Sequence, residues 1–249
     1  MLTATFGGLK IARVLLDEVD GNEISELKKK FSYVFAVVYK KIEEGQDLSD
    51  FRVCARRSAV IDLKPDMEQI FNKFESNTRK EIRQARKEQD FLFVSADTNF
   101  RAIYWCYKKF ELARHWLPTP RSEMKQQIFF TAYHKNKIVS GISCYGHNEI
   151  LRVAKIFSIR HQGDKQITNA LLGHISRNII FEICKYGKEH GYFLLDLGGV
   201  DFLHTEKIGI SRFKMSFGSG IIDTSICRFM TPAFVLVKKI GYFFKKDIA

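Results

Sequence analysis

The residues whose types and spacing suit chemistry best lie between Gly191 and Gly220. Phe193 to Leu195 is a short apolar run of the kind buried on both faces of a sheet. It ends in Asp196-Leu197-Gly198-Gly199, a carboxylate followed by two glycines that let the backbone turn or approach a ligand closely. Open α/β sheets place ligands at that end of a buried strand. Arg212 and Lys214 then bring positive charge back towards the same region. The same residues also describe a buried strand, a carboxylate capping a glycine turn, and a basic hairpin. Local sequence leaves both descriptions open.

Other chemistries find no foothold. The chain has no nucleophile-elbow sequence, Walker-type loop, zinc-ligand spacing or nucleotide-binding G-x-G-x-x-G. No metal site is expected. The five cysteines (Cys54, Cys106, Cys144, Cys184, Cys227) are widely spaced, odd in number and without a Cys-x-x-Cys pair, which reads as reduced packing thiols. Forty basic against 28 acidic residues give a formal charge of +12, so the surface should attract phosphates, nucleic acid or anionic lipid. A hydrophobic content of 45% supports a sizeable core and argues against disorder. Lys10 and Arg13 interrupt any signal-peptide pattern, and no apolar run reaches membrane-spanning length. The expected location is the cytoplasm, including the inner face of the membrane.

The elements that must position the site follow from periodicity. Leu9–Leu16 and Phe31–Tyr39 read as strands, with room for a short helix in the charged link between them, and Lys40–Asp50 as a loop. Val60–Leu63 is a short strand. Asp66–Gln89 reads as one helix, with Asp66 and Gln69 in capping-box positions and Met67, Ile70, Phe71, Phe74, Ile82 and Ala85 on its core face. Arg79, Lys80, Arg83, Arg86 and Lys87 crowd its second half, as a solvated face or a phosphate-facing stripe. A strand at Phe91–Ser95 leads to a helix from Asp97 towards His115, and Arg121–Gln127 makes a short one. His115 and Trp116 fit capping or packing. Ile128–Tyr133, Lys137–Tyr145 and Glu149–Ile159 form an antiparallel meander. Tyr145 and His147 near its turn are lesser acid/base candidates with a structural alternative. A helix from about Thr168 to His190, stopped by Gly191, makes a parallel crossover to the strand that ends in Asp196. The tail, Thr231–Lys246, mixes aromatic, aliphatic and lysine residues. It fits either an interfacial helix drawn to anionic lipid or a last element packed on the core.

That order of elements resembles GNAT-type acyltransferases, and three motifs resemble the FemAB-type aminoacyltransferases and their GNAT-like relatives. Asn77-Thr78-Arg79-Lys80-Glu81-Ile82-Arg83-Gln84-Ala85 is similar to that family's s-x-R-x-x-I-r-x-A segment. Asp196-Leu197-Gly198-Gly199 is similar to its D-x-G-G, and Gly209 to Gly218 to its G-x-x-x-F-K-x-x-F-G. The likeness covers roughly residues 60 to 222. It implies an α/β (α+β) fold: a GNAT-like mixed, mostly antiparallel sheet flanked by helices, with a partial N-terminal subdomain. The divisions expected are 1–60 (a possible degenerate GNAT-like half), 61–230 (the acyltransferase domain) and 231–249 (the basic amphipathic tail).

The resemblance implies transfer of an acyl or aminoacyl group to an amine by direct attack in a ternary complex, in cell-envelope glycan or peptidoglycan biosynthesis. Such a reaction needs a donor to the developing oxyanion and a group that takes a proton. Asp196 then orients or deprotonates the amine, and Lys214, assisted by Arg212, holds a phosphate or the oxyanion. Gly198, Gly199, Phe217, Arg79 and Arg83 complete the acceptor side. On the donor side Arg160-His161-Gln162-Gly163-Asp164-Lys165 keeps an Arg-x-x-Gly fragment of a pyrophosphate-binding loop. Arg160, Gly163, Lys165 and Asn169 are therefore the candidate cofactor contacts. No tightly bound cofactor is implied; acyl-CoA or aminoacyl-tRNA serves as co-substrate. The acceptor would be phosphate-bearing, a nucleotide sugar or lipid-linked precursor, with tRNA and the membrane surface as further partners. An acetyl-CoA-dependent enzyme acting on a nucleotide-linked amino sugar is one alternative. A non-catalytic module binding RNA or membrane through its basic surface is another.

Overall fold

A computed structural model describes residues 1–17, 21–40, 48–159 and 167–246. In chain order the first half carries β1 (Leu2–Phe6), β2 (Leu9–Leu16), α1 (Gly21–Lys30), β3 (Tyr33–Val38), β4 (Arg52–Asp62), α2 (Met67–Lys73), α3 (Ser76–Lys87), β5 (Phe91–Val94) and α4 (Phe100–Ala113). The second half carries α5 (Arg121–Met124), β6 (Ile128–His134), β7 (Lys137–His147), β8 (Ile150–Ser158), α6 (Asn169–Glu189), β9 (Leu194–Val200), α7 (Thr205–Met215), β10 (Gly220–Met230) and α8 (Pro232–Lys246). Strands and helices are mixed, with antiparallel pairing predominating, as the family resemblance implied. The chain divides into two compact units, one of Met1–Arg57, His115–Gln126 and Ile222–Ala249, the other of Ser58–Arg114 and Gln127–Ile221.

In the first unit β1 and β2 form an antiparallel hairpin, β2 and β3 run parallel, and β10 lies antiparallel to β3. Its core is the apolar side of these strands and of α1: Val14, Leu16, Ile24, Leu27, Val34, Ala36, Val38 and Cys227. Arg13 holds the Glu123 carboxylate, which is 3% exposed, at 2.5 Å. Phe234 of α8 is buried and stacks on Tyr33 with ring centroids 4.8 Å apart. The tail therefore packs on its unit through one side, while Leu236 and Ile240 stay exposed on another.

The second unit is built on the end of β4 followed by β9, β8, β7, β6 and β5 in that order. The meander β6–β7–β8 is antiparallel throughout, and β8 and β9 run parallel as the crossover through α6 requires. Thr168 caps α6 by accepting the Leu171 N–H at 3.1 Å. Ile175, Ile179, Ile180 and Ile183 bury its inner face against Ile142, Leu151 and Leu195. Cys144 and Cys184 lie in this core, where burial pushes both thiols up and leaves them unreactive.

Three expectations change. The helix expected over Asp66–Gln89 is two helices, because Phe74 turns extended to put its ring into the core between Phe181 and Phe217. The break is satisfied from outside: Glu75 N–H donates to Ser216 O at 2.9 Å and Arg79 Nη1 to Asn72 O at 2.7 Å. The basic hairpin expected after Gly199 is the helix α7, whose last turn carries Arg212 and Lys214. Residues 220–230, unassigned from sequence, form β10, and 2–6 form β1.

Candidate functional site

The site grows from the register of two strands. β8 and β9 pair through Ile150↔Leu194, Leu151↔Leu195 and Arg152↔Asp196. Beyond that pair β8 continues to Ser158 and β9 to Val200. Residues 153–156 are only half-buried, whereas the paired residues before them are buried. The last pair sits where the two strands part.

Asp196 is fully buried, and both carboxylate oxygens are engaged. Oδ2 accepts from Arg152 Nη1, and Oδ1 accepts the Gly198 N–H at 2.6 Å. Sequence reasoning missed Arg152. The signal was a lone arginine in the otherwise apolar Ile150-Leu151-Arg152-Val153, a position whose charge needs a buried partner. Tyr145 is buried and stands across from Arg152 on β7, while His147 lies at the end of that hairpin.

Gly198 has φ +86°, a conformation that disfavours any side chain, and a Cβ there would lie 3.4 Å from Lys214 Nζ. Lys214 Nζ donates to Gly199 O at 2.7 Å. Burial lowers its pKa to about 8, with Asp196 opposing the fall and Arg152 adding to it. Near neutral pH the ammonium is therefore a poorly solvated cation beside an exposed glycine carbonyl. It is suited to donating to a phosphate or a developing oxyanion. The Arg152–Asp196 pair is close to neutral as a unit, so the site keeps the net positive charge of Lys214.

The other candidates fall into place around this group or away from it. Phe217 is fully buried, edge-on to Phe74 at 5.2 Å and to Phe213 at 5.3 Å, so it anchors α7 in place of touching substrate. Gly218, with φ +61°, passes so close to the Lys73 carbonyl that no side chain fits. Arg212 is exposed on α7. Arg79 is spent on the end of α2, Arg86 holds Asn178 and Glu182 of α6, and Arg83 lies over the Phe71 ring at 5.4 Å. The arginine-rich helix is thus largely a structural clasp. Asn169 is exposed in the first turn of α6. Arg160, Gly163 and Lys165 lie outside the described residues.

No family model and no curated protein sequence matches the chain. Solved structures do. FemX superposes with a TM-score of 0.58 at 12% identity, covering 96% of this chain and 85% of FemX. L-PGS from Bacillus licheniformis gives 0.52 at 12%, covering 96% and 83%. The C-terminal domain (DUF2156) of a proposed lysylphosphatidylglycerol synthetase from Agrobacterium fabrum gives 0.55 at 12%, covering 95% and 82%. The chain shares the fold of FemX and L-PGS.

Proposed function

We propose that this protein transfers an acyl or aminoacyl group to an amine by direct attack in a ternary complex. The observation that carries this reading is Lys214. It is a desolvated lysine against the Gly198-Gly199 stretch of β9, held over the Arg152–Asp196 pair where β8 and β9 part, in a chain with the fold of FemX. Lys214 binds the phosphate of a substrate or the oxyanion formed at the attacked carbonyl. Asp196 acts as a positioning residue: it fixes the Gly198 backbone within β9 by accepting its N–H and neutralises Arg152, so that each carboxylate oxygen is already engaged.

The acceptor in this reading is carried on a phosphate, as a nucleotide sugar or a lipid-linked precursor of the cell envelope. Lysylphosphatidylglycerol, the product named for the Agrobacterium protein, is itself an aminoacylated lipid phosphate, which favours the lipid-linked form. The donor is an acyl-CoA or an aminoacyl-tRNA: as the amide C–N bond forms, the C–S or C–O bond to the donor breaks, and the departing CoA thiolate or tRNA ribose oxygen takes up the proton that the amine loses. The exposed Leu236 and Ile240 beside Lys238 and Lys239 on α8 support contact with an anionic membrane surface.

The test is a transfer assay that crosses acetyl-CoA and aminoacyl-tRNA donors with nucleotide-sugar and lipid-linked acceptors. With an active pair in hand, Lys214→Ala should lower kcat by about 100-fold or more, the usual loss when an oxyanion donor is removed. An unchanged kcat with Lys214→Ala would remove the site assignment. Tight, salt-sensitive binding to tRNA or vesicles without transfer to any acceptor would favour the non-catalytic alternative.

A further inference from the structure

A second concave site lies in the same unit but shares none of Arg152, Asp196, Gly198, Gly199 and Lys214. It is a pocket of about 470 Å³ between α4 and the start of β7, within the range of small-ligand sites. Every charged residue that lines it is a cation: Arg101 in the first turn of α4, Lys109 two turns on, and Lys137 at the start of β7. Among the described residues none of the three pairs with a carboxylate. The Asp97 carboxylate at the amino end of α4 is taken up by Tyr133, Thr131 and the Asn99 N–H, so the three cations that line the pocket form a standing attraction for an anion.

The pocket also presents an aromatic surface. Trp105 sits one turn from Arg101 and one from Lys109 on the same face of α4. Lys109 Nζ lies 3.8 Å from the indole centroid, yet Trp105 remains 58% exposed, an unusual state for so large an apolar ring. Ile138 and Ile159 supply the apolar wall. Its other groups are poor nucleophiles: burial raises the Cys106 thiol to about 12, and Tyr133 is likewise raised to about 12 while it donates to Asp97 at 2.7 Å. The site is built to bind and not to react covalently.

We infer that this pocket binds a phosphate-bearing small molecule with a planar ring, a nucleotide being the simplest such ligand. Arg101 and Lys137 hold the phosphate and the Trp105 indole stacks on the ring. The inference stands apart from acyl transfer at Lys214.

The chain has two tryptophans, so Trp116→Phe leaves Trp105 as the sole reporter. Titrating that protein with ADP should quench its fluorescence saturably, and inorganic phosphate should compete. Adding Arg101→Ala and Lys137→Ala should weaken ADP by roughly tenfold or more, the scale of losing charge-assisted hydrogen bonds. Each single replacement should weaken it less, with circular dichroism confirming the fold of every variant. Lys214→Ala should leave ADP affinity unchanged. Absent or linear quenching, adenosine binding as well as ADP, or equal affinity after the double replacement would each overturn the assignment. Loss of binding with Lys214→Ala would move the nucleotide to the other cleft and overturn it as well.

Discussion

At the scale of single residues, the site turns on how two charges are treated by burial. Lys214 is charged more readily in the unfolded chain, at the ordinary lysine value, than in the folded protein, where its pKa is about 8. Between those values the unfolded state binds more protons, so this group's penalty on stability is full below pH 8 and is relieved as pH rises above it. Urea midpoints should therefore show a gain from pH 7.5 to 9.5 that shrinks in Lys214→Met. Asp196 makes the opposite case, since its role is to satisfy Arg152. Asp196→Ala leaves a guanidinium only 10% exposed without its carboxylate and should cost about 3 kcal/mol or more in urea unfolding. An aspartate acting purely as a solvent-facing base would leave stability almost untouched, so this measurement separates the two roles.

Among the elements, α7 decides whether Lys214 reaches the glycines of β9. It is a short helix with a weakly amphipathic sequence, and propensity alone does little to form it. Its anchors are external. Phe213 and Phe217 enter the core, Ser211 Oγ accepts the Asp201 N–H at 2.8 Å, and Ser216 O accepts from Glu75. Phe217→Ala should lower unfolding free energy by about 3–5 kcal/mol. Gly218→Ala forces a side chain into left-handed backbone against the Lys73 carbonyl and should cost roughly 2 kcal/mol or more. Both are readable as shifts in denaturant midpoint. The paired motif of phenylalanine-lysine and phenylalanine-glycine is thus a packing device that carries one functional group.

For the whole molecule, the excess of positive charge acts without regard to the fold. Binding to tRNA or to anionic vesicles should weaken steeply as salt rises from 50 to 200 mM. Replacing Lys238 and Lys239 with glutamine should weaken vesicle binding more than tRNA binding if α8 supplies the lipid contact. None of the helices in the described residues is long and apolar enough to cross a membrane.

The periodic elements were legible in the sequence because their signals are local. The meander and the long crossover helix stopped by Gly191 lie where alternation and glycine punctuation put them, whereas the strand expected to end at Asp196 runs on through both glycines to Val200. The short helix α7 and the break between α2 and α3 were not legible, since Phe74 and Phe217 pack on each other and on Phe181 and Phe213 across distant segments. The site divides the same way. Sequence marked Asp196, the glycines and Lys214 by type and spacing. Only the parallel register of β8 on β9 brought Arg152 to Asp196 Oδ2, which with the local Gly198 N–H on Oδ1 engages both carboxylate oxygens and leaves Lys214 as the desolvated charge. A buried charge takes its function from its partner, and strand pairing, a non-local event, selects that partner.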